Sequence, residues 1–103
     1  MNRSVDSQLV SRLQARDETA VQELAERFGP RIHQLALRHM GNPADAEEVT
    51  QDVLMKVYRK IGAFRGDSAL SSWIYRITFN TAMSRLRSGK AARAAEVEQT
   101  IEA

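Results

Sequence analysis

The chain has 103 residues, of which 43% are hydrophobic and 27% charged, a composition typical of one globular domain. The absence of cysteine excludes disulfides and thiolate metal sites, and no apolar run approaches the roughly 20 residues that span a bilayer. The N-terminal residues are polar and resemble no signal sequence, so we expect a cytoplasmic protein.

Charge is unevenly distributed along the chain, although its net value is only +2. Residues 1–52 carry six Lys/Arg against nine Asp/Glu, whereas residues 53–94 carry nine Lys/Arg against Asp67 alone. Residues 95–103 add three glutamates. An acidic first half and a basic second half indicate two partners of different character, and the basic part suits a polyanion such as nucleic acid.

The hydrophobic spacing predicts an all-α protein, a compact bundle of about four helices with no sheet. A short first helix contains Leu9 and Leu13. The second helix follows the N-cap residue Asp17 and continues through Gly29-Pro30 with a kink, because its apolar stripe resumes in phase after the proline. The segment Gly41-Asn42-Pro43 predicts its end.

Two further helices are predicted in the second half of the chain. One runs from Asp45 to Ile61 and ends at Gly62, and the other begins near Leu70 and closes at Ser88-Gly89. The apolar stripe of the last helix is Trp73, Ile74, Ile77, Thr78, Ala82 and Leu86. We expect one helical domain over residues 1–90, followed by a linker or frayed helix over residues 91–103.

Acidic side chains line one face of the third predicted helix. Asp45, Glu48 and Asp52 are three and four residues apart, so they share a face, and Gln51 lies beside them. Such a face can accept arginines from a partner helix through charge-assisted hydrogen bonds. A simply solvated face remains an alternative, whereas catalysis or metal binding is disfavoured because no histidine or second carboxylate helix converges there.

Aromatic, small polar and cationic residues are mixed in the segment 64–76. Single-stranded nucleic acid is bound by such mixtures, because rings stack on bases and cations hold phosphates. We interpret Trp73 mainly as a core residue, and we place the DNA on the face that carries Tyr75, Arg76 and Asn80. Asn80 either reads a base edge or bonds a neighbouring helix. The residues that offer backbone and hydroxyl contacts to an extruded base are Gly66, Ser68, Ser71 and Ser72.

Basic residues continue along the last predicted helix and beyond it, and phosphate contacts from such a row give affinity that weakens with salt. A solvated basic face is the alternative for each of them. No role is predicted for His33 or His39. The basic row is Arg76, Arg85, Arg87, Lys90 and Arg93.

Together these runs resemble the second conserved region of extracytoplasmic-function (ECF) sigma factors. The resemblance rests on Asp-Ala-Glu-Glu-Val-Thr-Gln-Asp-Val at 45–53, Phe-Arg-Gly-Asp-Ser-Ala-Leu-Ser-Ser-Trp-Ile-Tyr-Arg-Ile at 64–77, and Asn-Thr-Ala at 80–82 followed by Arg-Leu-Arg at 85–87. It covers roughly residues 6–90. Phe79 is an unexpectedly bulky neighbour of Asn80, and Ser71-Ser72 stand where relatives often carry larger residues.

The resemblance implies a DNA-binding specificity subunit and not an enzyme, with no cofactor and no metal. Its partners would be the β′ clamp helices of RNA polymerase, the non-template strand of the promoter's minus-ten element, and an anti-sigma protein. The residues implied in polymerase binding are Asp45, Glu48, Gln51 and Asp52. Those implied in DNA binding are Phe64, Arg65, Gly66, Ser68, Ser71, Ser72, Trp73, Tyr75, Arg76, Asn80, Arg85 and Arg87.

Two alternative functions stay open at this point. A helical protein-interaction module would bind single-stranded DNA weakly and without sequence preference. A duplex-reading helix-turn-helix regulator would bind duplex tightly, although the sequence shows no short turn between two helices of suitable length. Family members carry a further helix-turn-helix domain to which no part of this chain corresponds.

Overall fold

The computed structural model describes the backbone of residues 3–102 and the side chains of residues 6–89. Four α-helices and one short 3-10 helix account for most of this part of the chain, and it contains no β-strand, which confirms the predicted all-α fold. The elements are α1 (Arg3–Gln14), α2 (Glu18–Met40), α3 (Pro43–Lys60), the 3-10 turn Ile61–Ala63 and α4 (Leu70–Glu102).

Capping residues explain where α2 and α3 begin and end. The Asp17 carboxylate accepts a hydrogen bond from the backbone N–H of Thr19 at 2.9 Å, which caps α2. Gly41 ends the same helix with a φ of 79°, a left-handed conformation that favours glycine. Asn42 then caps α3, and Pro43 occupies its first turn, so α3 begins two residues earlier than predicted.

Two predicted features of helix continuity have different outcomes. The single second helix is confirmed, because α2 runs unbroken through Pro30. The predicted end of the last helix at Ser88-Gly89 is wrong, because α4 continues to Glu102. One glycine costs a helix only about 1 kcal/mol relative to alanine, so it does not by itself terminate a long helix. The predicted domain boundary at residue 90 therefore falls inside a continuous helical backbone and stays a prediction.

The core lies where α2 and α3 pack together and α4 crosses both. The centre of the α4 stripe is Ile74 and Thr78, each with no exposed surface, whereas Trp73, Ile77 and Leu86 are only half-buried. Three members of the predicted six-residue stripe, Trp73, Ile77 and Leu86, are therefore less buried than predicted, because the helix turns Ile74 and Thr78 toward the core. The buried apolar residues are Leu9, Leu13, Ala20, Leu24, Phe28, Ile32, Ala36, Ala46, Val49, Val53, Val57, Ile61, Leu70, Ile74 and Ala82.

Polar contacts fasten α1 to the bundle. The Arg12 guanidinium bonds the Asp17 carboxylate at 3.2 Å and the Glu23 carboxylate at 2.9 Å. Hydrogen bonds from Thr19 and then from Arg12 lower the pKa of Asp17 below its ordinary value. At the other side of the bundle, the Gln14 amide donates to the Ile61 carbonyl at 3.0 Å, which joins the end of α1 to the end of α3.

Candidate polymerase and nucleic-acid interface

The predicted acidic residues share one face of α3. Asp45 is positioned by the N-cap, because its backbone N–H donates to the Asn42 side chain at 2.8 Å. Glu48 and Gln51 are exposed, and Asp52 is half-buried with its carboxylate 3.7 Å from the Lys56 ammonium. The structure therefore brings all four predicted polymerase-binding residues into one strip that can accept cationic donors.

The loop between the 3-10 turn and α4 stays on the surface of the protein. Gly66 turns it with a φ of 80°, which explains the glycine, and Arg65 and Gly66 are exposed. Phe64 is anchored instead of free, because its ring lies 5.1 Å from the Trp73 ring and both side chains pack against the core. The ring pair thus joins the start of the loop to α4, and Ser68 of the loop and Ser71 in the first turn of α4 are half-buried.

The outer face of α4 carries the other predicted DNA-binding residues. Arg76, Asn80 and Arg87 are exposed and therefore accessible to a strand, whereas Tyr75 is half-buried against the core. Arg85 is also half-buried and pairs with Glu48 of α3. Ser72 is exposed at the first turn of the helix. The side chains of Lys90 and Arg93, the last two residues of the predicted basic row, lie outside the described residues.

Phe79 is a surface aromatic that the sequence predictions did not use. Its side chain is 50% exposed, and it lies on α4 between Arg76 and Asn80. His39 of α2 approaches its ring edge-on, with the ring centroids 5.4 Å apart. The signal in the sequence was the bulky apolar residue beside Asn80, and this contact shows that Phe79 packs against α2 while leaving half of its surface to solvent.

Residues of α1 lie across a cavity from the loop, and the sequence predictions did not include them. A cavity of about 510 Å³ opens between α1 and the loop. Ser7, Ser11 and Gln14 line it from α1, and residues 64–70 line it from the other side. The spacing of these three residues along one helix face was visible in the sequence, but which part of the chain they would face was not.

An apolar groove lies next to the acidic strip. Val21 and Leu24 of α2 and Met55 and Tyr58 of α3 line a cavity of about 250 Å³. The Met55 side chain is 59% exposed, which is unusual for a large apolar residue. The groove continues the α3 surface beyond Gln51 and Asp52, so an apolar region adjoins the charged one.

Among the described residues, no three His, Asp or Glu side chains gather where they would hold a metal ion. None of the helices described here is long and apolar enough to cross a bilayer.

The Sigma-70 region 2 family matches residues 24–92, and the chain belongs to this family. The relatives place it in the ECF branch, as the resemblance in the sequence indicated.

Three relatives illustrate the similarity. The chain is 41% identical over 81 residues to the RNA polymerase sigma-H factor of Pseudomonas aeruginosa, covering 79% of this chain and 42% of the relative. It is 36% identical over 93 residues to the ECF sigma factor SigM of Mycobacterium tuberculosis, covering 90% and 47%. It is 38% identical over 81 residues to the sigma-E factor of Escherichia coli, covering 79% and 42%. The chain thus spans less than half of the length of these relatives.

A solved structure has the same fold. An engineered region 2 of sigmaE, determined by NMR in complex with GTAAAA, superimposes with a TM-score of 0.74 at 32% identity. The match covers 81% of this chain and 86% of that one.

Proposed function

We propose that this domain acts in transcription initiation by docking on RNA polymerase and capturing unpaired bases of the promoter's minus-ten element. The observation that carries the proposal is the exposed loop around Gly66, which leads into α4, together with the accessible Arg76 and Asn80 on that helix. Loop and helix together offer backbone groups, hydroxyls, an amide and a guanidinium to one strand. The DNA-bound structure of the engineered sigmaE region supports this proposal.

The acidic strip of α3 is the proposed polymerase-binding surface. Asp45, Glu48, Gln51 and Asp52 offer carboxylate and amide oxygens, which suit the arginine donors of a partner helix. The partner implied by the family is the pair of β′ clamp helices. Because the strip and the DNA face belong to different helices of one bundle, the polymerase and the strand can be bound together.

No covalent chemistry is needed for this function, and we propose that the domain is not an enzyme. Extruding a base costs a few kcal/mol, and stacking returns about 1–3 kcal/mol per base. Since the two terms nearly balance, the free domain should prefer single strands and should depend on the polymerase to open duplex DNA. A cytoplasmic location, where promoter DNA is accessible, belongs to the same proposal.

Arg76→Ala and Asn80→Ala test the DNA face directly. Both side chains are exposed, so each variant should keep its fold while losing affinity for a labelled non-template oligonucleotide. The loss of Arg76 should also reduce the salt slope of binding by about 1, because one phosphate contact disappears. The affinity is measured by fluorescence anisotropy at several salt concentrations.

Arg59→Ala is the matched control, since Arg59 is an exposed arginine at the end of α3, where it lines the apolar groove. Its affinity for the oligonucleotide should equal that of the wild type. Unchanged binding after both Arg76→Ala and Asn80→Ala would show that the strand lies elsewhere.

A second candidate function is a protein-interaction module, and the apolar groove favours it. Exposed apolar surface beside charged surface is typical of protein-binding sites. An anti-sigma protein that covers Met55 and Asp52 together would be compatible with both functions. Met55→Glu should then weaken binding of a protein partner and leave oligonucleotide affinity unchanged, whereas a module without DNA function would show no base preference at all.

A further inference from the structure

Phe79 is an exposed aromatic side chain that lies outside both the loop and the core. Of the large apolar side chains that keep more than a third of their surface exposed in the described part of the chain, only Phe79 carries a ring. Its α4 neighbours Tyr75 and Met83 pack against the core, whereas Phe79 is 50% exposed. Half of the surface of this ring is therefore free to contact a ligand.

The position of Phe79 places it on the accessible part of α4. It follows Arg76 by three residues, so the two side chains are neighbours on the helix surface, and it precedes the exposed Asn80. At 1.5 Å per residue, Phe79 lies about 14 Å along α4 from Leu70, where the loop ends. A strand bound to Arg76 has this ring within reach at a point well separated from the loop.

The end of α2 restrains the ring and adds a cation to the same part of the surface. His39 lies against Phe79 with the ring centroids 5.4 Å apart and the ring planes at 80°, a T-shaped contact. Arg38 precedes His39 in the last turn of α2 and is exposed. Among the residues that the structure describes, Arg38 forms no ion pair with a carboxylate. Its guanidinium is therefore available to an anion.

A ring with arginines on the helices that hold it suits an unpaired nucleotide. Aromatic side chains stack on bases of any identity, because every base has a flat π-face, and cations beside them hold the phosphates. Arg76 on the same helix and Arg38 beside His39 supply the positive charge that a phosphodiester backbone attracts. A protein partner is disfavoured, because the exposed neighbours of Phe79 on α4 are the polar residues Arg76 and Asn80.

We propose that the exposed face of Phe79 stacks on one unpaired base of the promoter strand and that Arg38 holds a phosphate next to that base. This inference rests on the proposed function, because it concerns the same strand. It names a second contact point, which extends the nucleic-acid surface from α4 to the end of α2. The contact is base-neutral and adds affinity for any base at one position of the strand.

Phe79→Leu tests the stacking contact, because leucine keeps an apolar side chain and removes the flat ring. The wild type and the variant are titrated with a labelled non-template oligonucleotide and with derivatives in which each nucleotide in turn is abasic. Phe79→Leu should lower the affinity for the intact oligonucleotide about fivefold or more, as the loss of one stacked base predicts. At one abasic position the wild type should show the same loss, and Phe79→Leu should show no additional loss there.

Phe79→Trp keeps an aromatic ring and should retain the affinity of the wild type. Its added tryptophan fluorescence, taken as the difference from the wild type with Trp73 alone, should be quenched by the intact oligonucleotide and not by the derivative that is abasic at the Phe79 position. Circular dichroism checks the folding of each variant. If Phe79→Leu folds poorly, the fluorescence of Phe79→Trp still tests the contact, and quenching that is equal for every derivative would contradict it.

Arg38→Ala tests the phosphate contact and should reduce the salt slope of oligonucleotide binding by about 1. Arg59→Ala is the matched control, because both arginines are exposed and lie in the last turn of a helix, where each interacts favourably with the helix dipole. Leu37→Ala is the control for lost apolar surface, since Leu37 is 38% exposed and lies two residues from His39, on another side of α2. Both controls should bind as the wild type does.

The results separate the inference from the proposed function. If the wild type loses affinity at particular abasic positions and the folded Phe79→Leu loses as much at every one of them, the proposed function stands and the stacking role of Phe79 is wrong. A salt slope of Arg38→Ala equal to that of Arg59→Ala would overturn the phosphate contact. If the wild type shows no measurable binding to the oligonucleotide, the proposed function fails and the inference fails with it.

Discussion

Glu48 of α3 and Arg85 of α4 form an ion pair across the interface between their helices. Glu48 belongs to the acidic strip, and Arg85 belongs to the basic face of α4. Both side chains keep solvent contact, with 59% of the Glu48 side chain and 38% of the Arg85 side chain exposed. The ion pair therefore links the acidic strip to the basic face of α4. A partner that binds Glu48 or Arg85 must compete with this pair.

Glu48→Gln should raise the affinity for single-stranded DNA at low salt. The substitution removes the charge that holds Arg85 and leaves the guanidinium available for a phosphate. Stability should change by less than about 1 kcal/mol, because exposed ion pairs contribute little. Anisotropy titrations at low and high salt measure the first effect, and urea denaturation measures the second.

Glu47→Gln is the control for this substitution. Glu47 is the exposed neighbour of Glu48 and accepts a hydrogen bond from Gln51. Both variants remove one negative charge, so a comparable gain in affinity for the two would indicate a general charge effect and would contradict a specific role of the pair.

Asp52→Lys should weaken binding to a clamp-helix fragment of RNA polymerase by about tenfold or more, because it places a cation where the partner's cations dock. Oligonucleotide binding should persist, since Asp52 lies on α3 away from the loop. Isothermal titration calorimetry with the fragment measures the loss. Glu26→Lys makes the same charge change at an exposed site of α2 and should have little effect; equal losses in both variants would argue against a localised docking strip.

Ile74→Ala should destabilise the domain by about 2–5 kcal/mol, because it leaves a cavity at a fully buried position of α4. The unfolding free energy is measured by urea denaturation. Arg87→Ala on the exposed face of the same helix should change it by less than about 0.5 kcal/mol. A similarly small effect of Ile74→Ala would mean that α4 does not pack as the structure shows.

Asp17 should make the stability of α2 depend on pH. Hydrogen bonds from Thr19 and Arg12 lower the pKa of Asp17 in the folded protein. Its stabilising contribution is therefore present above the unfolded pKa and is lost as the pH falls through the folded pKa. Asp17→Asn keeps an N-cap acceptor but removes the titrating charge.

The thermal midpoint of Asp17→Asn should accordingly lie below that of the wild type at neutral pH, and the difference should shrink toward about pH 3. Thermal scans at a series of pH values check this. A difference between the two proteins that stays constant over the whole range would rule out the Asp17 charge as its cause.

Helix-level features were predictable because they depend on residues close together in the chain. The N-cap at Asp17, the stop at Gly41 and the acidic face of α3 follow from local spacing and backbone preference. The same local reasoning failed at Gly89, because the helical hydrogen bonds of the turns on either side outweigh the low helix propensity of one glycine. It also overestimated the burial of the Trp73 side chain, because an apolar stripe does not determine the rotation of a helix to within one residue.

The sequence by itself determined an all-helical domain with an acidic strip and a basic, ring-bearing segment, since charge and periodicity are properties of short stretches. Only the tertiary structure decided which of these stretches meet. Glu48 reaches Arg85 across 37 residues, Gln14 reaches Ile61 across 47, and α1 closes a cavity over the loop that contains Gly66. Such contacts depend on how the helices pack around Ile74 and its neighbours, because close packing of the whole core sets the helix positions that bring distant residues together.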